Sequence, residues 1–168
     1  MRRFSLALSA AAAGLVATPV LAADLAVSVE IPRLPVAAYH RPYVAIWIER
    51  PDQTAVRTLA VWYEVSNVAE GKDWLKDMRT WWRRGGRALT LPADGVSSAT
   101  KAPGRHAFTV PGARLSNLPA GDYVLVTEAA RELGGRESVR VPFRWGAANT
   151  ASASGSTELG AVRVTVTR

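Results

Sequence analysis

Short stretches of alternating apolar and polar residues run along most of the chain. LAVSVEI at 25–31 alternates in the way typical of a strand with one buried face. Two apolar, aromatic-rich stretches follow, PYVAIWIE at 42–49 and VRTLAVWY at 56–63, and the turn-like RPDQTA joins them. FTV, DYVLVTEAAR, ESVRVPFRW and GAVRVTVT continue the series of predicted strands. The Ser/Ala/Gly-rich stretch GAANTASASGS is predicted to be a flexible loop.

These strands do not alternate with helices, so the pattern does not favour a parallel sheet. We expect a mainly β fold, an antiparallel immunoglobulin-like β-sandwich. Residues 23–168 are enough for one domain with a core of ordinary size, and we expect a single domain there.

One segment, KDWLKDMRTWWRRGG at 72–86, departs from the strand pattern. Trp74, Leu75, Met78, Trp81 and Trp82 recur at the spacing of one face of an amphipathic helix. The sequence therefore predicts a helix over about 72–84, ended by the two glycines that follow. Its tryptophans could stack on a planar ligand, although an aromatic stripe at this spacing more often packs in a core.

The first 22 residues have the composition of a cleavable secretory signal peptide. Two arginines precede an apolar run over 6–16, and small residues lead to a predicted cleavage site after Ala22. The apolar run is shorter than the roughly 20 residues that span a bilayer. We therefore expect a periplasmic protein with no membrane span after removal of the signal peptide.

Export to the periplasm affects how the absence of cysteine and the excess of basic residues are interpreted. The chain has no cysteine, so in an oxidising compartment it can form no disulfide and use no thiol in catalysis or metal binding. Residues 23–168 carry 19 basic and 14 acidic residues, and the segment 72–105 alone has 8 basic and 3 acidic. An exported protein is not expected to bind nucleic acid. An anionic cofactor, an acidic protein, lipid head groups and a merely solvated helix face all remain open.

Residues that suggest catalysis are scarce. His40 and His106 are the two histidines, far apart and without a metal-binding spacing, so metal binding through either is a minor alternative. The chain has no GxSxG motif, no glycine-rich phosphate loop after a strand and no evident carboxylate pair. We therefore expect no enzymatic activity and no resident metal.

The polar stretch LPADGVSSATKAPG at 91–104 offers the clearest candidate chemistry. It combines an acidic residue and three hydroxyls with two nearby basic residues. A hydroxyl beside basic side chains suits a phosphate group, whether bound or covalently attached, because the cations offset its charge. On composition alone, a polar turn leading into the strand near His106 explains the stretch equally well.

Six blocks in a fixed order carry a resemblance to a known family. The chain resembles the periplasmic family known as domain of unknown function 2271 over nearly all of its mature length. Members of that family resemble partners of PepSY-type inner-membrane reductases and of the FMN transferase that flavinylates exported proteins. The resemblance implies an accessory protein of a membrane redox or metal/haem uptake system, which carries electrons rather than converting a substrate. The blocks are RPYVAIWIE, VRTLAVWY, KDWLKDMRTWW, DGVSSATKAPGRH, LPAGDYVLVTEAARELGG and STELGAVRV.

The resemblance also implies a site for covalent FMN. The acceptor motif of flavinylated proteins is Asp, two variable residues, Ser or Thr, Gly, Ala, and Ser or Thr, which DGVSSAT matches except at Ser98. A glycine there could adopt a backbone angle that serine adopts only at a cost. By resemblance Thr100 is the FMN acceptor, and Asp94 and Ser97 help the transferase to recognise the loop. Ala99 and Lys101 complete the candidate cofactor site.

The alternative function is a non-enzymatic immunoglobulin-like adaptor that holds no cofactor. In that case the tryptophan-rich helix and the basic middle segment would bind the reductase, or a metal or haem complex during uptake.

Overall fold

The computed structural model describes residues 23–167, and the predicted signal peptide, residues 1–22, lies outside the described residues. Within this range the chain forms nine strands, two short α-helices and three 3-10 turns. The strands are β1 (Leu25–Ile31), β2 (Tyr43–Glu49), β3 (Ala55–Tyr63), β4 (Ser97–Ala99), β5 (Gly104–Val110), β6 (Gly121–Ala130), β7 (Arg136–Trp145), β8 (Asn149–Ser154) and β9 (Ala161–Val166). The helices are α1 (Val68–Asp73) and α2 (Arg79–Arg84), and the 3-10 turns are Leu75–Asp77, Gly86–Ala88 and Gly112–Leu115.

The strands form two sheets that face each other. Sheet A has the strand order β5-β1-β9-β8, and sheet B has the order β4-β3-β2-β6-β7. All neighbouring strands are antiparallel except β4, which pairs in parallel with the end of β3. The predicted mainly β sandwich is confirmed, with this one parallel pair as a departure from the expected pattern. Its immunoglobulin-like character stays a prediction.

The main core lies between the sheets. Every second residue of β1 is buried there, as the alternation in its sequence predicts. Strand β2 is different, because Val44, Ile46 and Ile48 face this core while Ala45 and Trp47 face a second apolar cluster on the other side of sheet B. Its uninterrupted apolar sequence therefore reflects burial on both faces.

The helical segment covers the outer face of sheet B, but it is not the continuous helix predicted over 72–84. The chain leaves the helical conformation at Met78, where ψ is 70°, and this residue precedes α2. Leu75, Met78 and Trp81 are buried against sheet B as expected. Trp74 is 53 % exposed, so the predicted stripe is core at only some of its positions.

Two carboxylates on sheet B explain why the helical segment takes this broken form. The fully buried Glu128 accepts hydrogen bonds from the backbone N–H groups of Thr80 (3.1 Å) and Trp81 (2.8 Å), which begin α2. Glu49, also fully buried, accepts from Arg84 at the end of α2. Burial would raise the pKa of Glu49, but the hydrogen bonds from Arg84 and neighbouring donors lower it. The Glu128 carboxylate of β6 thus accepts hydrogen bonds from the N–H groups at the start of α2, which in a continuous helix would bond to carbonyls of the preceding turn.

The stretch predicted to be a flexible loop, GAANTASASGS, contains strand β8. In β8 the alanines at 151 and 153 are half-buried and alternate with exposed Thr150 and Ser152. The turn that follows is fixed by Glu137 of β7, whose carboxylate accepts hydrogen bonds from four consecutive backbone N–H groups, those of residues 156–159. The expectation of a flexible loop is therefore wrong for this stretch.

Candidate functional site

The motif DGVSSAT forms a tight turn followed by strand β4. The backbone N–H groups of Val96 and Ser97 both donate to the carbonyl of Ala93, and the Ser97 hydroxyl accepts from the Ala93 N–H at 3.0 Å. The carbonyl of Val96 then accepts from Val61 of β3 at 2.8 Å. The end of the motif is therefore attached to the edge of sheet B rather than lying in a free loop.

Ser98 lies inside β4, opposite Trp62 of β3. Among the described residues, the non-glycine residues with a positive φ are Gln53 and Leu133, so Ser98 has no left-handed backbone. The left-handed position of the motif is Gly95, at φ +67°. The expected backbone cost of serine at position 98 is therefore not found in this fold.

A groove of about 910 Å³, here called the end groove, opens where β2 begins and β3 and β6 end. Thr100, directly after β4, contributes to its wall, and the half-exposed indole of Trp74 forms another part. Its other lining residues are Tyr39, His40, Arg41, Tyr43, Glu64, Ser66, Asn67, Glu70, Asp77, Ala130, Arg131, Glu132 and Leu133.

The end groove is aromatic and mildly acidic. Burial raises the pKa of Tyr39 and Tyr43, so both hydroxyls are protonated at neutral pH. Four carboxylates line the groove against two guanidinium groups, and one of these, Arg131, is held by Glu158 in a buried two-bond pair at 2.8 and 3.0 Å. Such walls suit an uncharged planar ring better than a free anion.

A second groove of about 540 Å³, here called the side groove, lies between β3 and β4 of sheet B and β5 of sheet A. Trp62 forms its floor, with the rings of His106 and Phe108 packed edge-on at centroid distances of 5.9 and 6.5 Å. Lys101 covers the indole of Trp62, with Nζ 5.7 Å from the ring centroid. The remaining lining residues are Ala60, Gly95, Val96, Ser97, Ser98, Arg105, Ala107, Thr109 and Arg114.

The predicted cofactor residues do not form one site. Thr100 lines the end groove, whereas Ser97 and Lys101 line the side groove. Asp94 and Ala99 are exposed and line neither groove. Sequence reasoning missed Arg114, which lies 14 residues beyond Thr100 in a 3-10 turn, and it missed the two tyrosines of the end groove. YHRPY, an aromatic and polar stretch that ends at the first residue of β2, is the signal that could have pointed to those tyrosines.

The two histidines are also separated. His40 pairs with Glu132 at 3.3 Å beside the end groove, and His106 Nε2 lies 2.7 Å from the Ala102 carbonyl in the side groove. Within residues 23–167 no three side chains of the metal-binding types come together. Nor does any helix in that range have the length and apolar character needed to cross a bilayer.

The fold and the grooves define the class of protein. It is a two-sheet β protein without cysteine, and the segment 95–101 contributes to two grooves large enough for a small ligand. A family model described as "Predicted periplasmic protein (DUF2271)" matches residues 24–161, and the chain belongs to this family. The predicted family and the predicted periplasmic location are thereby confirmed. No curated protein and no solved structure matches the chain.

Proposed function

We propose that the protein is a periplasmic accessory of a membrane redox or metal/haem uptake system and carries FMN covalently on Thr100. The observation that carries this proposal is the position of the Thr100 side chain on a groove with aromatic walls. As a carrier, the protein would provide the attachment point and the surroundings of the flavin, which would supply the redox chemistry.

Three features of the chain fit this cofactor. Thr100 is only partly buried, so a modifying enzyme can reach its hydroxyl. The half-exposed Trp74 and two protonated tyrosines offer surfaces on which a planar ring can stack. Ser98, the one departure from the acceptor motif, has an ordinary strand backbone and adds no strain.

The charges around Thr100 also fit a phosphoester. The end groove has more carboxylates than guanidinium groups, which suits the uncharged ring. A phosphate on Thr100 would share this groove with Arg41, whose guanidinium would offset part of its charge.

The proposed attachment reaction transfers the FMN half of flavin adenine dinucleotide to Thr100. A bond forms between Thr100 Oγ1 and the phosphorus of the FMN half, and the pyrophosphate bond breaks. AMP leaves, and the hydroxyl proton is passed to solvent. The partners expected from the family resemblance are an FMN transferase and a PepSY-type inner-membrane protein.

Coexpression of the protein with an FMN transferase tests the proposal. We expect the mass of the purified protein to rise by one FMN less one water, with flavin fluorescence that remains on the denatured chain. Thr100→Ala should abolish both changes. Ser98→Ala, which removes a neighbouring hydroxyl in the same motif, is the matched control and should leave the mass increase intact.

Trp74→Ala tests the end groove separately. Modification should persist because the acceptor is intact, whereas the absorbance and fluorescence of the folded protein should shift as the ring loses an aromatic neighbour. Unmodified wild-type protein, or equal modification of Thr100→Ala, would contradict the proposal. Unmodified protein that captures a periplasmic partner equally well with and without Thr100 would favour the cofactor-free adaptor.

A further inference from the structure

We propose that the side groove is a binding site for the phosphate group of a small molecule. This inference does not rest on covalent FMN at Thr100, because it concerns different residues on the other side of the same segment. It is based on three cationic side chains that line the same groove. Among the residues that the structure describes, no carboxylate lines this groove.

The three cations come from separate parts of the fold. Lys101 follows β4, Arg105 belongs to β5, and Arg114 lies in the 3-10 turn Gly112–Leu115. Arg105 forms an exposed ion pair with Glu30, whose Oε2 is 4.0 Å from Arg105 Nη2. Lys101 and Arg114 have no carboxylate within salt-bridge distance among residues 23–167. Their charges are thus available to a ligand.

The turn of the DGVSSAT motif holds Arg114 at this groove. Arg114 Nη1 donates to the Gly95 carbonyl at 3.0 Å, which fixes the guanidinium plane and leaves its other N–H groups for a ligand. A Cβ at position 95 would lie 2.9 Å from the same nitrogen, so a side chain there would displace the end of Arg114, and the positive φ at this position also favours glycine. The motif therefore positions a phosphate-binding side chain.

The rest of the groove supplies hydrogen-bonding groups and a firm floor. Ser98 and Thr109 are among the lining residues, and hydroxyls can donate to phosphate oxygens. Lys101 rests on the buried indole of Trp62, which limits the freedom of its long side chain. Guanidinium, ammonium and hydroxyl donors in one groove are a combination that phosphate recognition uses.

The shape of the site favours a compact ligand over a membrane or an acidic protein. A lipid surface or an acidic protein would be met best by cations spread over a flat or convex face, whereas these three line a groove of about 540 Å³. The ligand class is therefore a soluble phosphate or phosphomonoester, and lipid phosphate becomes an outcome of the test.

Calorimetric titration of the protein, produced without an FMN transferase, tests this inference. Inorganic phosphate and glycerol 1-phosphate should bind with a stoichiometry of one, and glycerol should not bind. The double variant Lys101→Gln/Arg114→Gln should weaken phosphate binding by about tenfold or more, because one lost charge-assisted hydrogen bond already corresponds to roughly that factor. The single variant Arg114→Lys, which keeps the positive charge, should retain part of the wild-type affinity for phosphate.

Arg87→Gln/Arg163→Gln is the matched control, since it removes the same charge from exposed positions outside both grooves. It should change the affinity less than about twofold. Thr100→Ala should leave phosphate binding unchanged, so failure of the FMN proposal and failure of this one are distinguishable. Equal loss in the control, no saturable phosphate binding by the wild type, or binding only to phosphatidylglycerol vesicles would each overturn the inference.

Discussion

Glu137→Gln tests how the turn between β8 and β9 is held. The carboxylate accepts hydrogen bonds from the backbone N–H groups of Ser156 (2.7 Å), Thr157 (3.0 Å), Glu158 (2.9 Å) and Leu159 (2.9 Å). Partial burial opposes ionisation, but these donors favour the carboxylate and lower the pKa of Glu137 from 4.5 to about 2. Glutamine keeps the shape but loses the charge and one acceptor.

The size of the effect follows from that difference in pKa. A carboxyl group with a pKa of 4.5 in the unfolded chain and about 2 in the fold contributes at most about 3 kcal/mol at neutral pH. Because the side chain is partly exposed, solvent screening reduces this, and we expect Glu137→Gln to lower the free energy of unfolding by about 2 kcal/mol. The folded-state pKa is the lower one, so the contribution is present above about 4.5 and is lost as the pH falls towards 2.

Urea denaturation followed by tryptophan fluorescence measures this directly. The difference between wild type and Glu137→Gln should be largest at neutral pH and should shrink progressively as the pH falls below 4.5. Glu132→Gln is the matched control, because this carboxylate is 72 % exposed and lies 3.3 Å from the His40 ring. A stability difference that does not vary with pH, or one that is equally large in the control, would refute the reasoning.

Two paired substitutions test the helical cover and the turn of the motif, each by urea denaturation. Trp81→Ala should lower the free energy of unfolding by about 3–5 kcal/mol because its indole is 1 % exposed, whereas Trp74→Ala should cost less than about 1 kcal/mol; similar losses would contradict the assignment of one to core and the other to groove. Gly95→Ala should lower the free energy of unfolding by about 1–2 kcal/mol, since φ at this position is +67°. Gly85→Ala should be neutral or slightly stabilising, because φ there is 173° and an added Cβ would have no atom within 4 Å beyond its local backbone. Equal effects at the two glycines would contradict the strain at position 95.

The strands that could be predicted are those whose side chains carry the core. The strands concerned contain β-branched, aromatic or large aliphatic residues, and their periodicity reports burial directly. They are β1, β2, β3, β6, β7, β9 and the end of β5 over 108–110. In β8 a period of two is present in TASAS, but Ala and Ser differ too little in hydrophobicity for it to be distinguished from a loop. β4 has three residues and exists because the edge of β3 offers hydrogen bonds. No local pattern can predict such a strand.

The break in the predicted helix could not be predicted for a similar reason. Its apolar spacing correctly identified Leu75, Met78 and Trp81 as buried, because a broken helical segment and a continuous one can present the same side chains to a sheet. The break depends on Glu128, which lies about 48 residues away and caps α2 with a buried carboxylate. A contact at that distance along the chain is invisible to periodicity.

The candidate site shows what a motif can and cannot predict. The motif places a hydroxyl at Thr100 next to a cation at Lys101, and these neighbouring residues suggested a single phosphate site. In the fold these neighbours line different grooves, and the cation that joins Lys101 is Arg114, held by Gly95 within the same motif. Removing Thr100 and removing the basic pair should therefore affect separate measurements, covalent FMN in one case and soluble phosphate in the other. A single variant that abolished both would mean that the two grooves act as one site.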